Sequence, residues 1–283
     1  MDLNAVANFK VLVVGDAIED VYRFCKFLGR ATKEAVIAAE FEREETYAGG
    51  VRAGASHLVD LCAKVDIWHG NNIAINVKYL GAYSNKLFSV HSWRAIEDGF
   101  TPTDISSYDA VIVFDFGYDR DFLVAGLRER LMREARFIAV TCQANSINYG
   151  FHLLTERWPH AHFAVCDELE ARLAAHDQHG DIEDVILKLP YPAIIVTQGS
   201  KGAIGYAHKE FYREQALTDR PVDLLGAGDA VLAVVAPFAK AGFSIKELVH
   251  LGNVAGMIKV GILGHQGHVT KAQLLKHVSE RSL

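Results

Sequence analysis

The sequence has no excess of basic residues: 29 Lys and Arg stand against 35 Asp and Glu, a formal net charge of −6. A bulk cationic surface for nucleic acid is therefore excluded, with room left for a local patch. Cysteine is sparse. Cys25, Cys62, Cys142 and Cys166 form no CxxC and no metal-type spacing, so they read as reduced thiols rather than a disulfide framework or a zinc site. The opening residues, MDLNAVANFKVLVVGD, carry acids and lack a long apolar core before a small-residue cleavage site, which is not a signal-peptide pattern. No apolar run approaches the length of a membrane span. Low-complexity stretches, long linkers and internal repeats are missing too. The expectation is a cytoplasmic protein that partners neither nucleic acid nor membrane.

What is present is a large apolar share. Half of the 283 residues are hydrophobic and 23 % are charged, ordinary values for a globular chain with a sizeable core. Short β-branched runs recur and end in Gly, Asp or Asn: KVLVVGD, AVIVFDFG, RFIAVTCQAN, HFAVCDE and AIIVTQGSKG. Such brief, continuous runs suit strands buried on both faces. Between them, DFLVAGLRERLMREA places apolar residues at Phe122, Leu123, Leu127 and Leu131 with charges opposite, a helical pattern. DELEARLAAH and DIEDVILKLP read likewise. Alternation of strand and helix predicts an α/β, doubly wound and mostly parallel sheet. Two segments break the rhythm. Residues 30–50 and 72–93 read as irregular antiparallel strands flanking a helix over GGVRAGASHLVDLCA, and they predict a small β lid standing off one domain that spans 1–283, with lid segments at about 17–48 and 72–95. In an open parallel sheet ligands bind beyond the carboxyl ends of the strands. That rim would carry Asp16, Asp115, Gln143, Asn145, Asp167 and Gly199, several of which are turn-formers in any case.

The densest chemical signal is DLLGAGDAV. Gly226, Ala227 and Gly228 strip side chains from a turn before the apolar helix AVLAVVAPFA. Bare backbone N–H groups at a helix start favour an anion. Asp229 among them has two readings: a helix N-cap, or a base that takes a proton from a hydroxyl attacking phosphorus. The stretch is not a Walker A loop, since no GK[ST] follows, and not a dinucleotide fingerprint, since GxGxxG is absent.

Taken together, eight segments in order resemble the ribokinase-like (phosphofructokinase B) carbohydrate kinases, and within them the kinases of D-glycero-D-manno-heptose 7-phosphate. They are VVGDAIEDVY, YAGGVRAGA, VFDFG, TCQANSINYGF, CDELEA, VTQGSKGAIGY, DLLGAGDA and LGNVAGMIKVGILG. The resemblance runs from about Val11 to Thr270. It implies a ribokinase-like fold, ATP and Mg²⁺ as cofactors, and phosphoryl transfer to a sugar or sugar phosphate. It also implies Asp229 as the base, with Gly226, Ala227 and Gly228 as the anion hole. Thr197, Gly199 and Gly202 would border the phosphates and ribose, and Asn253 and Gly256 the adenine. Glu170, with Asp167 in place of the family's Asn, would order Mg²⁺. Asp223 would lie where some relatives hold a monovalent cation. On the acceptor side the resemblance points to Asp16, Asp20, Gly49, Gly50, Asp115 and Asn145, with Arg52, Lys78 and Lys86 as candidates for a sugar phosphate. It further suggests a homodimer built through the lids, and a nucleotidyltransferase partner as a separate protein, because heptose kinases are sometimes fused to one and this chain ends soon after the kinase portion. His57, His69, His91, His265 and His268 read as structural or surface residues.

Some positions depart from the family. Ala53 replaces the Asn of G-G-x-x-N, Tyr118-Asp119 drops a lysine after Phe116-Gly117, and Leu224-Leu225 replaces a segment that carries Thr. Pro237 inside the helix after Asp229 is expected to kink it or end it early. The alternatives are a non-catalytic sugar-binding or regulatory protein of the same fold, and a kinase for another small alcohol such as a nucleoside.

Overall fold

The computed structural model describes residues 1–81, 85–96, 100–119, 121–218 and 220–280, the side chains of 279 and 280 excepted. In chain order it runs β1 (Lys10–Gly15), β2 (Ala17–Arg30), β3 (Ile37–Gly50), α1 (Val51–Ser56), β4 (Lys64–Trp68), β5 (Asn72–Leu80) and β6 (Lys86–Ala95). Then come β7 (Ala110–Asp115), α2 (Ala125–Glu134), β8 (Ile138–Cys142), α3 (Leu154–Arg157), β9 (Phe163–Asp167), α4 (Glu168–Ala174), α5 (Ile182–Leu187) and β10 (Ala193–Thr197). The chain closes with β11 (Ala203–Ala207), β12 (Glu210–Glu214), α6 (Ala227–Lys240), α7 (Ile245–Val260) and α8 (Lys271–Glu280).

Eight strands form the main sheet in the order β12-β11-β10-β9-β8-β7-β1-β4. Strands β4 through β10 in that row are parallel, and β11 and β12 are antiparallel. The two-residue period of a strand divides the core. Val11, Val13, Ile112, Phe114, Val165 and Ile195 face one side, while Leu12, Val14, Val111, Val113, Cys166 and Val196 face the other. Residues of α1, α6, α7 and α8 pack on the first side, and residues of α2 to α5 on the second. The α/β, doubly wound, mostly parallel expectation holds.

The strands β2, β3, β5 and β6 form a second sheet, ordered β3-β2-β5-β6. Its outer pairs are antiparallel, but β2 and β5 run parallel, because each hairpin leaves the main sheet from the same rim. The helix expected over residues 49–63 is only α1; from His57 onward the chain turns. His57 accepts the distant N–H of Val269 at 2.9 Å. Pro237 does not end α6, which continues to Lys240 with Ala241 N–H returning to the Pro237 carbonyl at 3.0 Å. The proline forfeits one main-chain bond, and burial of every residue from Ala230 to Phe238 offsets that loss. Among the described residues no helix is long and apolar enough to cross a membrane.

Candidate active site

Gly226 lies at φ 72°, ψ 13° and is the N-cap residue of α6, and no side chain caps the helix. Glycine adopts this left-handed geometry without penalty. Asp229 is therefore the third residue of the helix and not its cap. The first-turn N–H groups are left without a side-chain partner, at the positive end of the helix dipole. Burial pushes the Asp229 carboxyl up to about 6, with the positive charges of His265 and Lys259 pulling the other way.

These residues floor a cavity of about 730 Å³. One wall carries Thr197, Gly199, Ser200 and Gly202, from the end of β10 and the turn after it. Another carries Asn253, Gly256, Met257 and Val260 of α7, with Leu217 and Pro221 beside them. Thr141, Gln143, Asp167 and Glu170 stand at the ends of β8 and β9. All the residues expected around a nucleotide thus meet at one cavity. Ser200 and Met257, inside motif segments but not singled out, also line it, as do Leu217 and Thr218, which belong to no motif. The Asn253 amide donates to the Glu214 carboxylate at 2.9 Å and ties α7 to the end of β12.

Asp167 is the N-cap of α4. Its carboxylate accepts the Glu170 N–H at 2.8 Å, and Glu170 returns the bond to the Asp167 N–H at 3.0 Å. Glu170 also accepts the Ala144 N–H at 3.2 Å. Burial first, and then the neighbouring Asp167 charge, push Glu170 up to about 8. A carboxylate so placed is stabilised by a cation. Oxygen donors alone suit Mg²⁺, which retains several waters, and among the described residues no three acidic, His or Cys side chains form a direct metal cage. Asp167 and Glu170 are oxygen donors of the kind that can hold Mg²⁺ through its waters.

The acceptor-side carboxylates meet different surroundings. Asp115 is 0 % exposed. It takes Arg157 through two bonds of 2.5 and 3.0 Å and the Trp158 indole N–H at 2.8 Å. Asp16 accepts the N–H groups of Phe116 and Asp119 at 2.9 and 2.8 Å, and more weakly that of Tyr118. Burial and the Asp115 charge raise its carboxyl to about 7 against those bonds. Asp16 thus holds the 116–119 turn, and Asp115 ties the end of β7 to Arg157 and Trp158. Asn145 is likewise engaged in its own turn, donating to the Phe116 carbonyl at 2.7 Å and accepting the Ile147 N–H at 2.9 Å. Gly49 and Gly50 give room to protein rather than to ligand: a Cβ on Gly49 would collide with the Asp20 carboxylate, and one on Gly50 with the Asp16 carbonyl. Arg52 lies on α1, outside the cavity wall.

Asp20 forms a buried ion pair with Lys78, accepts from Asn76 at 3.3 Å and lies 3.3 Å from His265 Nε2. The His265 and Lys78 partners hold its carboxyl low despite burial. Asp223 takes the Lys86 ammonium at 2.9 Å together with the N–H groups of Leu225 and Gly264. Lys86 is thus an ion-pair partner of an acid. A Cβ on Gly226 would come within 3.1 Å of His265 and 3.4 Å of Lys259, so both lie directly against the turn. Neither was singled out as functional from the sequence. Lys259 did leave a signal: it is the single charge between Asn253 and Leu263, in an apolar helix.

A glycine turn thus presents helix N–H groups and a carboxylate to one cavity of a doubly wound sheet, an arrangement suited to phosphoryl transfer. The model of the pfkB family carbohydrate kinases matches residues 113–271, more than half of the sequence, and the chain belongs to that family. It is a carbohydrate kinase. It is also similar to the bifunctional protein HldE of Helicobacter pylori, 23 % identical over 303 residues, covering 90 % of this chain and 64 % of that protein. The chain thus spans less than two thirds of that relative's length. Ribokinase from Thermotoga maritima has a TM-score of 0.70 at 13 % identity, covering 96 % of this chain and 99 % of that one. Phosphofructokinase-2 from Escherichia coli, solved in complex with potassium, has a TM-score of 0.65 at 14 % identity, covering 96 % and 99 %. These structures establish the ribokinase-like fold.

Proposed function

We propose that this chain transfers the γ-phosphoryl group of ATP to a hydroxyl of a heptose-like sugar or sugar phosphate, with Asp229 as the general base. The observation that carries the reading is the first turn of α6, where a carboxylate with no ion-pair partner among the described residues faces the cavity beside N–H groups that no side chain caps. A base poised near 6 is ionised at neutral pH and still accepts a proton readily. The new O–P bond forms as the bond to the leaving ADP oxygen breaks, and the hydroxyl proton passes to Asp229. The N–H groups of Ala227, Gly228 and Asp229 stabilise charge on the phosphoryl in flight. Bound Mg²⁺ would neutralise the phosphate oxygens, with Glu170 and Asp167 holding its waters. Thr197, Gly199 and Gly202 border the phosphates and ribose, while Asn253, Gly256 and Met257 flank the base.

The acceptor would lie toward Asp20, Lys78 and Asn76. Asn76 Oδ1 is buried without a hydrogen-bond partner among the described residues, a place that a sugar hydroxyl would satisfy. A heptose-like acceptor is favoured by the likeness to HldE, and a nucleotidyltransferase would act next on the product. The second sheet, as a lid, leaves Ile37, Phe41 and Phe88 at 72, 60 and 51 % exposure, and a second copy of the chain would cover that face. The test is ATP turnover with Mg²⁺ over a panel of heptoses, hexoses, pentoses and their phosphates. Turnover is expected to be greatest with a heptose or its phosphate, and Asp229→Asn should lower kcat by about 10²–10⁴-fold. A variant that keeps the full rate removes Asp229 as base. A chain that neither binds nucleotide nor turns over any acceptor removes the reading as a whole.

A further inference from the structure

Lys259 is a buried charge that the reaction as derived does not use. It sits in the last turn of α7 and is 0 % exposed. Its ammonium donates to two main-chain carbonyls, Leu225 O at 2.8 Å and Gly264 O at 2.7 Å. Leu225 immediately precedes Gly226, and Gly264 belongs to the loop after α7. Asp223 ties the same two residues together through their N–H groups, at 3.1 and 2.9 Å. Two carbonyl oxygens and a nearby carboxylate therefore gather around one positive charge, directly under the turn that leads into α6.

All-oxygen groupings of carbonyls and carboxylates are the donor sets of hard cations. Filling the space between α6 and α7 alone would call for no charge: an apolar side chain of similar volume packs there without desolvating an ammonium. Burial lowers the Lys259 pKa, and Asp223 and Asp229 act to keep the ammonium charged. The charge is also felt where phosphoryl transfer would take place, since Lys259 lies against Gly226 and pulls on the Asp229 carboxyl.

We propose that Lys259 is a tethered monovalent cation: its ammonium occupies the carbonyl cage beneath the anion-binding turn, fixes Leu225 and Gly264 around it, and makes the enzyme independent of K⁺ or any other monovalent ion. This rests on the kinase reading and assigns Lys259 as a positioning residue. It also replaces the expectation that Asp223 helps bind a free monovalent ion.

The test begins with the wild-type chain. Its turnover should change by less than about twofold when choline chloride is replaced by KCl at constant ionic strength. Stimulation by K⁺ of about tenfold or more overturns the proposal. Lys259→Ala opens the cage and should lose about tenfold or more in kcat, as expected when a fixed electrostatic group is removed. Ammonium, methylammonium or K⁺ should restore that activity and choline should not. A second readout needs no catalysis. In the absence of nucleotide, the Tm of Lys259→Ala should rise with ammonium or K⁺ over choline, because an ion that binds only the folded state stabilises it, and the wild-type Tm should not respond. A Lys259→Ala protein in which choline and ammonium act alike, on both rate and Tm, overturns the proposal. Should Lys259→Ala fail to fold, Lys259→Met fills the space without charge: full activity overturns the proposal, while a lowered kcat at unchanged Tm, not rescued by salt, supports it. A wild-type chain that turns over no acceptor sinks the kinase reading, and the nucleotide-free Tm series still decides Lys259.

Discussion

Asp115 and Asp229 each end an approach to the cleft, and their surroundings are opposite. At the end of β7, Asp115 is enclosed by the Arg157 guanidinium and the Trp158 indole and touches no solvent. Asp229 has no salt-bridge partner among the described residues, is half-buried, and faces the cavity from the first turn of α6. One carboxylate is neutralised so that the chain can turn, and the other is left available for chemistry. The contrast extends to their regions. Around Asp115 the side chains interlock: Asp16 gathers three N–H groups and Asn145 closes its own turn. Around Asp229 the cavity is built largely from backbone and small residues. A carboxylate at a strand end is therefore no guide to function until its partners are known.

The largest effect expected is on the Asp115 side. Arg157→Met removes the guanidinium and leaves a buried carboxylate, which should destabilise the fold by about 3–5 kcal/mol in urea unfolding. Asp115→Asn on top of Arg157→Met should recover much of the loss, since the stranded charge is then gone. A midpoint unchanged by Arg157→Met would show that the pair does not hold the turn, and the contrast with Asp229 would collapse.

Asp229 should behave in the reverse sense. Its folded-state value, raised to about 6 from 3.8, means that the folded chain takes up the proton before the unfolded chain does. The burden of its burial is then present at pH 8 and is relieved as pH falls through about 6 toward 3.8. Asp229→Asn should therefore be at least as stable as wild type at pH 8, by up to roughly 3 kcal/mol, with the difference closing near pH 4. Activity moves the other way: kcat/KM of the wild type should fall about tenfold per pH unit below about 6, as the base is protonated. Urea midpoints and rates at matched pH values check both, and a variant less stable than wild type at pH 8 would place Asp229 with the structural acids.

Much of this was legible in the sequence, unevenly. The strands of the main sheet follow from β-branched runs, and the cavity around Thr197, Gly199, Gly202 and Gly226 follows from glycines that admit a ligand to the backbone. The partners of the acids expected on the acceptor side were not legible, because their bonds are long-range. Asp16 reaches partners 100 to 103 residues away, Asp20 pairs with Lys78 across 58, and Asp115 with Arg157 across 42. No local pattern announces such pairs. The same holds for Gly49 and Gly50, whose missing side chains make way for Asp20 and for the Asp16 carbonyl. Leu224 and Leu225, where a hydroxyl was missed, divide in role. Leu224 is 71 % exposed, whereas Leu225 packs against Tyr22, Phe24 and Leu80 of the second sheet. Its carbonyl meanwhile receives Lys259. Leu225, the residue after the place where the family carries Thr, thus links the second sheet to the turn.

The smallest effect tests the backbone side alone. Gly226→Ala introduces one methyl group at φ 72°, where it would stand 3.1 Å from His265 and 3.4 Å from Lys259. The left-handed conformation disfavours alanine by about 1–2 kcal/mol, and the flexible Lys259 side chain can yield a few tenths of an ångström. The fold should survive with a modest fall in Tm, far short of that for Arg157→Met. Turnover should suffer more than stability, because the N–H groups that follow Gly226 must point at the phosphoryl, and small displacements of such donors are felt in the rate. A Gly226→Ala protein with lowered kcat, little change in the KM for ATP and a Tm near that of wild type would mark the turn as reaction machinery. Equal losses in Tm and rate would mark it as a structural turn, and the difference between the two sides of the cleft would then be one of degree.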